Sequence, residues 1–368
     1  MITDEKLRKK IDYTLLIVTL ALCVFGEIIL YTVTRGDKHA SYHNQLIWMV
    51  IGAVGLVLAT KIDYHIFLPL AKPLYVLNLL LLASVLVLSH RTNGSARWIK
   101  LGPLEFQPSE SAKLIIILFL ASYLVHHRQT IHTLGKLLQS LVLVIIPTLF
   151  IFKQPDLGTA LVVMVIWAGM VYMAGAKSAY LISLFAGGLI LFVLLWNVGN
   201  IIKPYQKQRI EVLLGHNKDD RTANYQVNQA SLAIGSGEMW GKGLMHGRQV
   251  RGGYIPEKQT DFIFTAVAEQ TGFTGCLFLL LLYFVLILRI STTITAAGDD
   301  IFGRLIATGI LTMIAFHIAV NVGMNIGILP VAGVPLPFIS AGGSNLLVTL
   351  FCIGILQSIR VNRHELIF

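Results

Sequence analysis

Ten runs of apolar residues, separated by stretches rich in charge, Gly, Pro and other polar residues, divide this chain. They fall at 13–33, 46–60, 74–88, 110–125, 137–152, 157–173, 179–196, 262–290, 305–328 and 345–359. The runs are continuous and do not alternate with a two-residue period, which predicts helices and excludes the strands of a closed membrane barrel. A hydrocarbon layer of ~30 Å needs roughly 20 apolar residues per helix, fewer where end residues snorkel. The pattern therefore predicts an all-α integral membrane protein of about ten transmembrane helices, a single polytopic domain over 1–368. The first run follows Lys6, Arg8, Lys9 and Lys10, as in a signal peptide, but it is long enough to span and no small-x-small cleavage pattern follows. It reads as a retained helix. Neither a 20- to 50-residue repeat nor an inverted half-to-half symmetry is visible.

Composition agrees. Of 368 residues, 55% are hydrophobic and 13% charged, against about 25% charged in soluble domains. Net charge is +10, and its distribution carries topology. With a cytoplasmic N-terminus, short inner segments hold thirteen Lys and Arg, among them Lys61, Lys72, Arg128, Lys136, Lys177, Arg289, Arg304 and Arg360. Short outer loops hold six. That bias places both termini in the cytoplasm. It also leaves one long extracellular loop at about 197–260, long enough to escape the rule. The basic excess thus reflects topology and contact with anionic membrane lipids; no basic tract interleaved with aromatics points to nucleic acid. Cys23, Cys276 and Cys352 all sit in apolar runs and read as small buried hydrophobes.

The same orientation puts four polar segments on the outer side: 93–108, 154–158, the long loop, and 330–344. Asp261 lies where the long loop becomes an apolar helix, with Glu257, Lys258 and Thr260 within a turn. It reads either as a helix-start acid with Thr260 as cap or as a general base shielded by the membrane surface yet reachable from outside. In Gln107-Pro108-Ser109-Glu110-Ser111-Ala112-Lys113, Pro and Ser mark a helix start and put Glu110 and Lys113 on one face. These are either a dipole-compensating acid with a snorkelling lysine or an ion pair lining a polar cavity. Asp156 opens the next helix and invites the same two readings.

Residues 228–243 read as a short amphipathic helix and a glycine-punctuated turn, without phosphate-loop spacing. In 321–344, glycines permit close contact. The Pro-rich turn ending in Ser340, Gly342 and Gly343 reads either as a buried re-entrant turn or as a set of free backbone N–H groups suited to a phosphate or pyrophosphate. Glu27 and His317 read as satisfied interior polar residues. His216 and His246 form no metal-ligand pattern.

Together, Arg97-Trp98 with Gln-Pro-Ser-Glu, Gln154–Thr159, Tyr225–Gly243, Tyr254–Phe264 with its Thr-Asp-Phe-Ile-Phe, and Asn321–Ser344 resemble the shape, elongation, division and sporulation (SEDS) family, in order and spacing across essentially the whole chain. Trp240 before Gly-Lys-Gly and the short tails favour its elongation branch over its division branch. The resemblance implies a peptidoglycan glycosyltransferase that polymerises lipid II at the outer face of the bacterial cytoplasmic membrane. It also implies partnership with a class B penicillin-binding protein and other elongation-complex membrane proteins. By that resemblance Asp261 is catalytic, the polar cavity residues are Glu110, Lys113 and Asp156, and the loop tryptophan is Trp98. Three positions depart from the family pattern: Gln259 stands where a His is common, Glu238 where a Gly is, and Ala341 where a Tyr is.

Displacing a lipid diphosphate from an anomeric carbon with inversion needs one base and no carboxylate nucleophile, by analogy with inverting glycosidases. Asp261 takes that role. The leaving diphosphate requires positive charge, from Lys113, Arg209 or a divalent cation such as Mg or Mn; Ser340 is a further candidate for holding substrate. A flippase of the same lipid-linked precursor and a non-catalytic scaffold are the competing readings.

Overall fold

The computed structural model describes residues 10–34, 41–88, 97–101, 104–197 and 223–362. Three helices open the chain: α1 Tyr13–Thr34, α2 Ser41–Lys61 and α3 Phe67–Leu88. A short antiparallel hairpin follows, β1 Ile99–Leu101 with β2 Leu104–Phe106, pairing Ile99 with Phe106 and Lys100 with Glu105. Then come α4 Pro108–His126, α5 Leu134–Lys153, α6 Leu157–Met173 and α7 Ser178–Asn197. The long loop contains α8 Ala223–Ser236 and the single turn α9 Arg248–Arg251. The chain closes with α10 Ile263–Ala296, α11 Ile301–Asn325 and α12 Gly343–Val361. Among the described residues, eight helices are long and apolar enough to cross a membrane, and α6 and α7 are shorter apolar helices. The hairpin was not foreseen from the sequence.

Burial sorts the helices into two classes. The central ones, α4, α11 and α12, are largely buried, whereas α2, α3, α5 and much of α10 turn apolar side chains outward. Phe273, Leu277, Leu281, Phe284 and Leu288 form one exposed stripe on α10, and Val50, Val54, Val57 and Leu58 another on α2. In water such patches would drive aggregation; against lipid they cost nothing. The interior carries the polar groups, as expected of ionisable residues in a membrane bundle. The three cysteines are buried and free.

The ends of the helices fix the crossing pattern. Asp12, just before α1, contacts Arg360 at the end of α12, so the two ends of the described chain lie together. Gln45 near the start of α2 instead meets Gly342 and Ser340 just before α12, at the opposite end of the bundle. Two irregular segments matter for the site. α10 is broken at Gly272 (φ 67), where a side chain would collide with the backbone of Gly241. Residues 273–296 beyond the break span about 36 Å, enough for the hydrocarbon layer. Residues 331–340 return as a mostly buried non-helical segment. It presses its backbone against Gly26 of α1 (at Phe338) and Gly158 of α6 (at Ala332), where no Cβ fits.

Candidate active site

Four stretches of the chain meet around a cleft of about 530 Å³. One wall is the hairpin and the start of α4, with Glu105, Gln107 and Glu110; a second is the α5–α6 turn with Asp156; a third is the approach to α10, with Glu257 and Asp261. The floor is the re-entrant segment and the start of α12, with Gly333, Pro335 and Asn345, and Trp98 stands at the margin, 37% exposed.

Asp261 is half-buried and held through its backbone. Its carbonyl accepts from Asn321 Nδ2 (3.0 Å) and Asn325 Nδ2 (2.9 Å), both on α11. Asn325 Oδ1 in turn accepts from the amide and hydroxyl of Thr265. The carboxylate lies over Gly333, so close that a Cβ there would be 3.6 Å from Oδ2. Thr260 is not the helix cap: Phe262 occupies that position, and the Thr260 hydroxyl donates to Glu257 instead. The chain makes a tight turn over 257–262 before the helix begins, which leaves the cap position one residue beyond Asp261.

Glu110 and Lys113 form the ion pair that their spacing predicts, at 2.8 Å. Glu110 lines the cleft and also accepts from Asn345 Nδ2 (2.7 Å). Lys113 lies behind that wall, 1% exposed, and its Nζ donates to Glu110 and to His317 Nε2 (3.2 Å). An ammonium has no acceptor, so His317 Nε2 must accept; Nδ1 then carries the proton and donates to Pro335 O (3.1 Å). His317 is thus a neutral bridge between α4 and the re-entrant segment. The direct diphosphate contact expected of Lys113 does not fit this geometry.

Asp156 caps α6 and receives four hydrogen bonds, from the Thr159 amide and hydroxyl, Gln107 Nε2 and Ser109 Oγ. It pins the starts of α4 and α6 together while one edge faces the cleft. Arg97 donates to the carbonyls of Gln154 and Pro155 and ties the hairpin approach to the same turn. Ser344 Oγ accepts from the Gln107 amide and donates to Glu105 O, fastening the hairpin to α12.

Ser340 sits inside the wall: its hydroxyl donates to Thr260 O and accepts from the Leu336 amide. Of the backbone N–H groups expected to be free, that of Ser340 is taken by Leu336 O and that of Gly342 by Gln45 Oε1, and the Ala341 amide between them donates to Gln259 O. The re-entrant turn spends its donors on the protein because backbone at membrane depth has no water to satisfy it. Arg209 lies outside the described residues. Among the described residues no three His, Cys, Asp or Glu side chains come together as a metal-holding group.

Residues 12–365 match the FtsW/RodA/SpoVE family of cell cycle proteins. The chain belongs to that family. It is 35% identical over 357 residues to peptidoglycan glycosyltransferase MrdB of Escherichia coli (strain K12), covering 97% of this chain and 95% of that protein. It superimposes with a TM-score of 0.83 and 30% identity on a chain from a peptidoglycan synthase complex that coordinates polymerization and crosslinking, covering 96% and 99% of the two chains. The rod shape determining protein RodA of Thermus thermophilus matches with a TM-score of 0.72 and 29% identity, covering 96% and 98%.

Within this family member, sequence reasoning overlooked Asn321, Asn325, Asn345 and His317 as parts of the site. The available signal was four polar side chains in otherwise apolar helices, three of them (His317, Asn321 and Asn325) at the i, i+4 spacing that puts them on one face. Glu269 was overlooked too. It is fully buried in α10 and accepts from the amides of Gln249 and Val250 and from Lys242. It thereby moors the loop that leads to Asp261.

Proposed function

We infer that this chain is a peptidoglycan glycosyltransferase that polymerises lipid II on the outer side of the bacterial cytoplasmic membrane. The observation that carries the site assignment is Asp261: a half-buried carboxylate on the wall of a 530 Å³ cleft, its backbone fixed by two asparagines of the adjacent helix. In the proposed reaction Asp261 takes the proton of the acceptor sugar hydroxyl. That oxygen attacks the anomeric carbon of the donor, the bond to the lipid diphosphate breaks, and the anomeric centre inverts.

The diphosphate meets an acidic wall of five carboxylates with Arg97 as the lining cation. That imbalance favours a divalent cation carried by the diphosphate itself, as Mg²⁺ commonly is, with at most one or two protein carboxylates; Glu257, beside the base Asp261, suits that part. Such an ion supplies charge neutralisation for the leaving group. The partnership with a class B penicillin-binding protein is supported by the similarity to a chain of a synthase complex.

Purified full-length protein with lipid II, with and without that partner, tests the reading. Polymer from wild type and none from Asp261→Asn is the expected result. Transfer of lipid II across the bilayer without polymer would establish the flippase instead, a reading that the burial of Lys113 behind the cleft wall does not favour.

A further inference from the structure

At Gly272 the backbone of α10 leaves the helical region, and the break frees two amides and two carbonyls. In a continuous helix Phe273 N–H would donate to Glu269 O and Thr274 N–H to Gln270 O, each four residues back. Here Phe273 N–H donates to Glu238 O (2.8 Å) and Thr274 N–H to Met239 O (3.1 Å). The two stranded carbonyls accept from the amides of Lys242 (3.0 Å) and Gly243 (3.0 Å), in the same loop. Residues 238–243 thus satisfy all four groups, two on each side of the break. Buried backbone groups left unmet are costly, so the loop acts as a splint. It replaces the missing part of the helix ladder and sets the angle between the two parts of α10.

That angle matters because the part before the break, 263–271, begins two residues after Asp261. About 14 Å separates its start from the break, at 1.5 Å per residue, so a tilt of about 4° shifts the Asp261 end by about 1 Å. A misplacement of about 1 Å is enough to lower a rate about 10²-fold. Asn321 and Asn325 hold the Asp261 carbonyl at one end of this lever. Near the other end stands Glu269, 0% exposed. Its Oε1 accepts from the Gln249 amide (2.9 Å) and Lys242 Nζ (3.2 Å), and its Oε2 from the Val250 amide (3.0 Å). A buried carboxylate must be paired and hydrogen-bonded to be tolerated, and the loop supplies all three of these donors.

We propose that Glu269 is a positioning residue for Asp261. By clamping loop residues 242–250 onto 263–271, it holds the half-helix at the angle that aims the base. Glu269 is not part of the cleft lining, so it acts through Asp261 and touches no substrate. The role rests on the polymerase reading; the splint does not.

Two variants attack the clamp from its two sides. Glu269→Gln replaces two acceptor oxygens by one and leaves a loop amide unmet. Gly247→Ala suits the local backbone, with φ −64, but puts a Cβ 2.7 Å from Glu269 Oε2; it serves if Glu269→Gln does not fold. Full-length protein is assayed for lipid II polymerisation, for lipid II-binding stoichiometry and for amide hydrogen exchange. Either variant should lower kcat per bound lipid II by about 10²-fold, with KM within about twofold of wild type. Exchange at the Phe273 and Thr274 amides should rise about tenfold, the scale of losing a hydrogen bond to a charged group. A rate loss matched by an equal loss of lipid II-binding sites would make Glu269 a structural acid and overturn the proposal. So would a wild-type kcat, or unchanged exchange at 273 and 274. No polymer from wild type, or Asp261→Asn polymerising at the wild-type rate, would remove the polymerase reading and the positioning role with it, while exchange at 273 and 274 still reads the splint separately.

Discussion

The two ends of the bundle use buried acids in opposite ways. At the cleft, five carboxylates line the wall with one arginine among the described lining residues; at the remote end, the Asp12 carboxylate is held by two arginines. Glu110 and Asp12 are both held by basic partners within 2.8 Å. Yet Glu110 keeps an edge in a cleft roomy enough for a substrate, while Asp12 closes a joint between the first and last helices. A further contrast lies within the cleft. Asp156 spends its carboxylate on four donors and holds two helices together, whereas Asp261 is fixed by its carbonyl. Fixing Asp261 by its carbonyl holds it at the rim of the cleft, a placement that suits an acid meant to take a proton.

Substitutions can break or sharpen this contrast. The largest effect belongs to Asp261→Asn, which should lower lipid II polymerisation by about 10²- to 10⁴-fold, the worth of a positioned base, with an unchanged melting curve. A fall in melting temperature that matched the loss would make Asp261 a structural acid like its neighbour. Lys113→Ala should act through stability: it strands Glu110 in a buried setting, at a cost of about 3–5 kcal/mol, and Lys113→Met combined with Glu110→Gln should recover most of it. If Lys113→Ala melts like wild type, the pair is not the buried joint described here. Asp156→Ala comes next, at about 1.5–3 kcal/mol for hydrogen bonds to a charged group, read from denaturation in detergent. Trp98→Ala should be smallest in stability, within about 0.5 kcal/mol as for an exposed position, and should raise KM for lipid II while leaving kcat nearly alone.

Most of the helical frame was legible because lipid imposes a simple rule: each crossing must be apolar for about 20 residues. Each expected run overlaps an observed helix, and the Glu110–Lys113 pair followed from helical spacing alone. The hairpin at 99–106 escaped because three-residue strands leave no periodic signature. Its register is held by Ser344, more than 200 residues away. The misplaced expectations share a cause. Ser340 and the amide of Gly342 looked available for a ligand because sequence shows donors and not the distant acceptors that occupy them: Thr260 O and Gln45 Oε1. His317 looked inert for the same reason, since its partners Lys113 and Pro335 come from other parts of the chain.

The segment 331–340 bears on how the protein is assembled. Three of its carbonyls are satisfied by groups borrowed from elsewhere: the Tyr283 hydroxyl donates to Pro337 O, Asn321 to Val334 O and His317 to Pro335 O. None of these donors lies within the segment. A chain leaving the insertion machinery therefore gains little by burying this stretch until α10 and α11 are docked, because each unmet carbonyl in hydrocarbon is expensive. The helices should assemble first and the inward loop settle last, so that the floor of the cleft, and with it the seat beneath Asp261, is finished only once the rest of the bundle has closed around it.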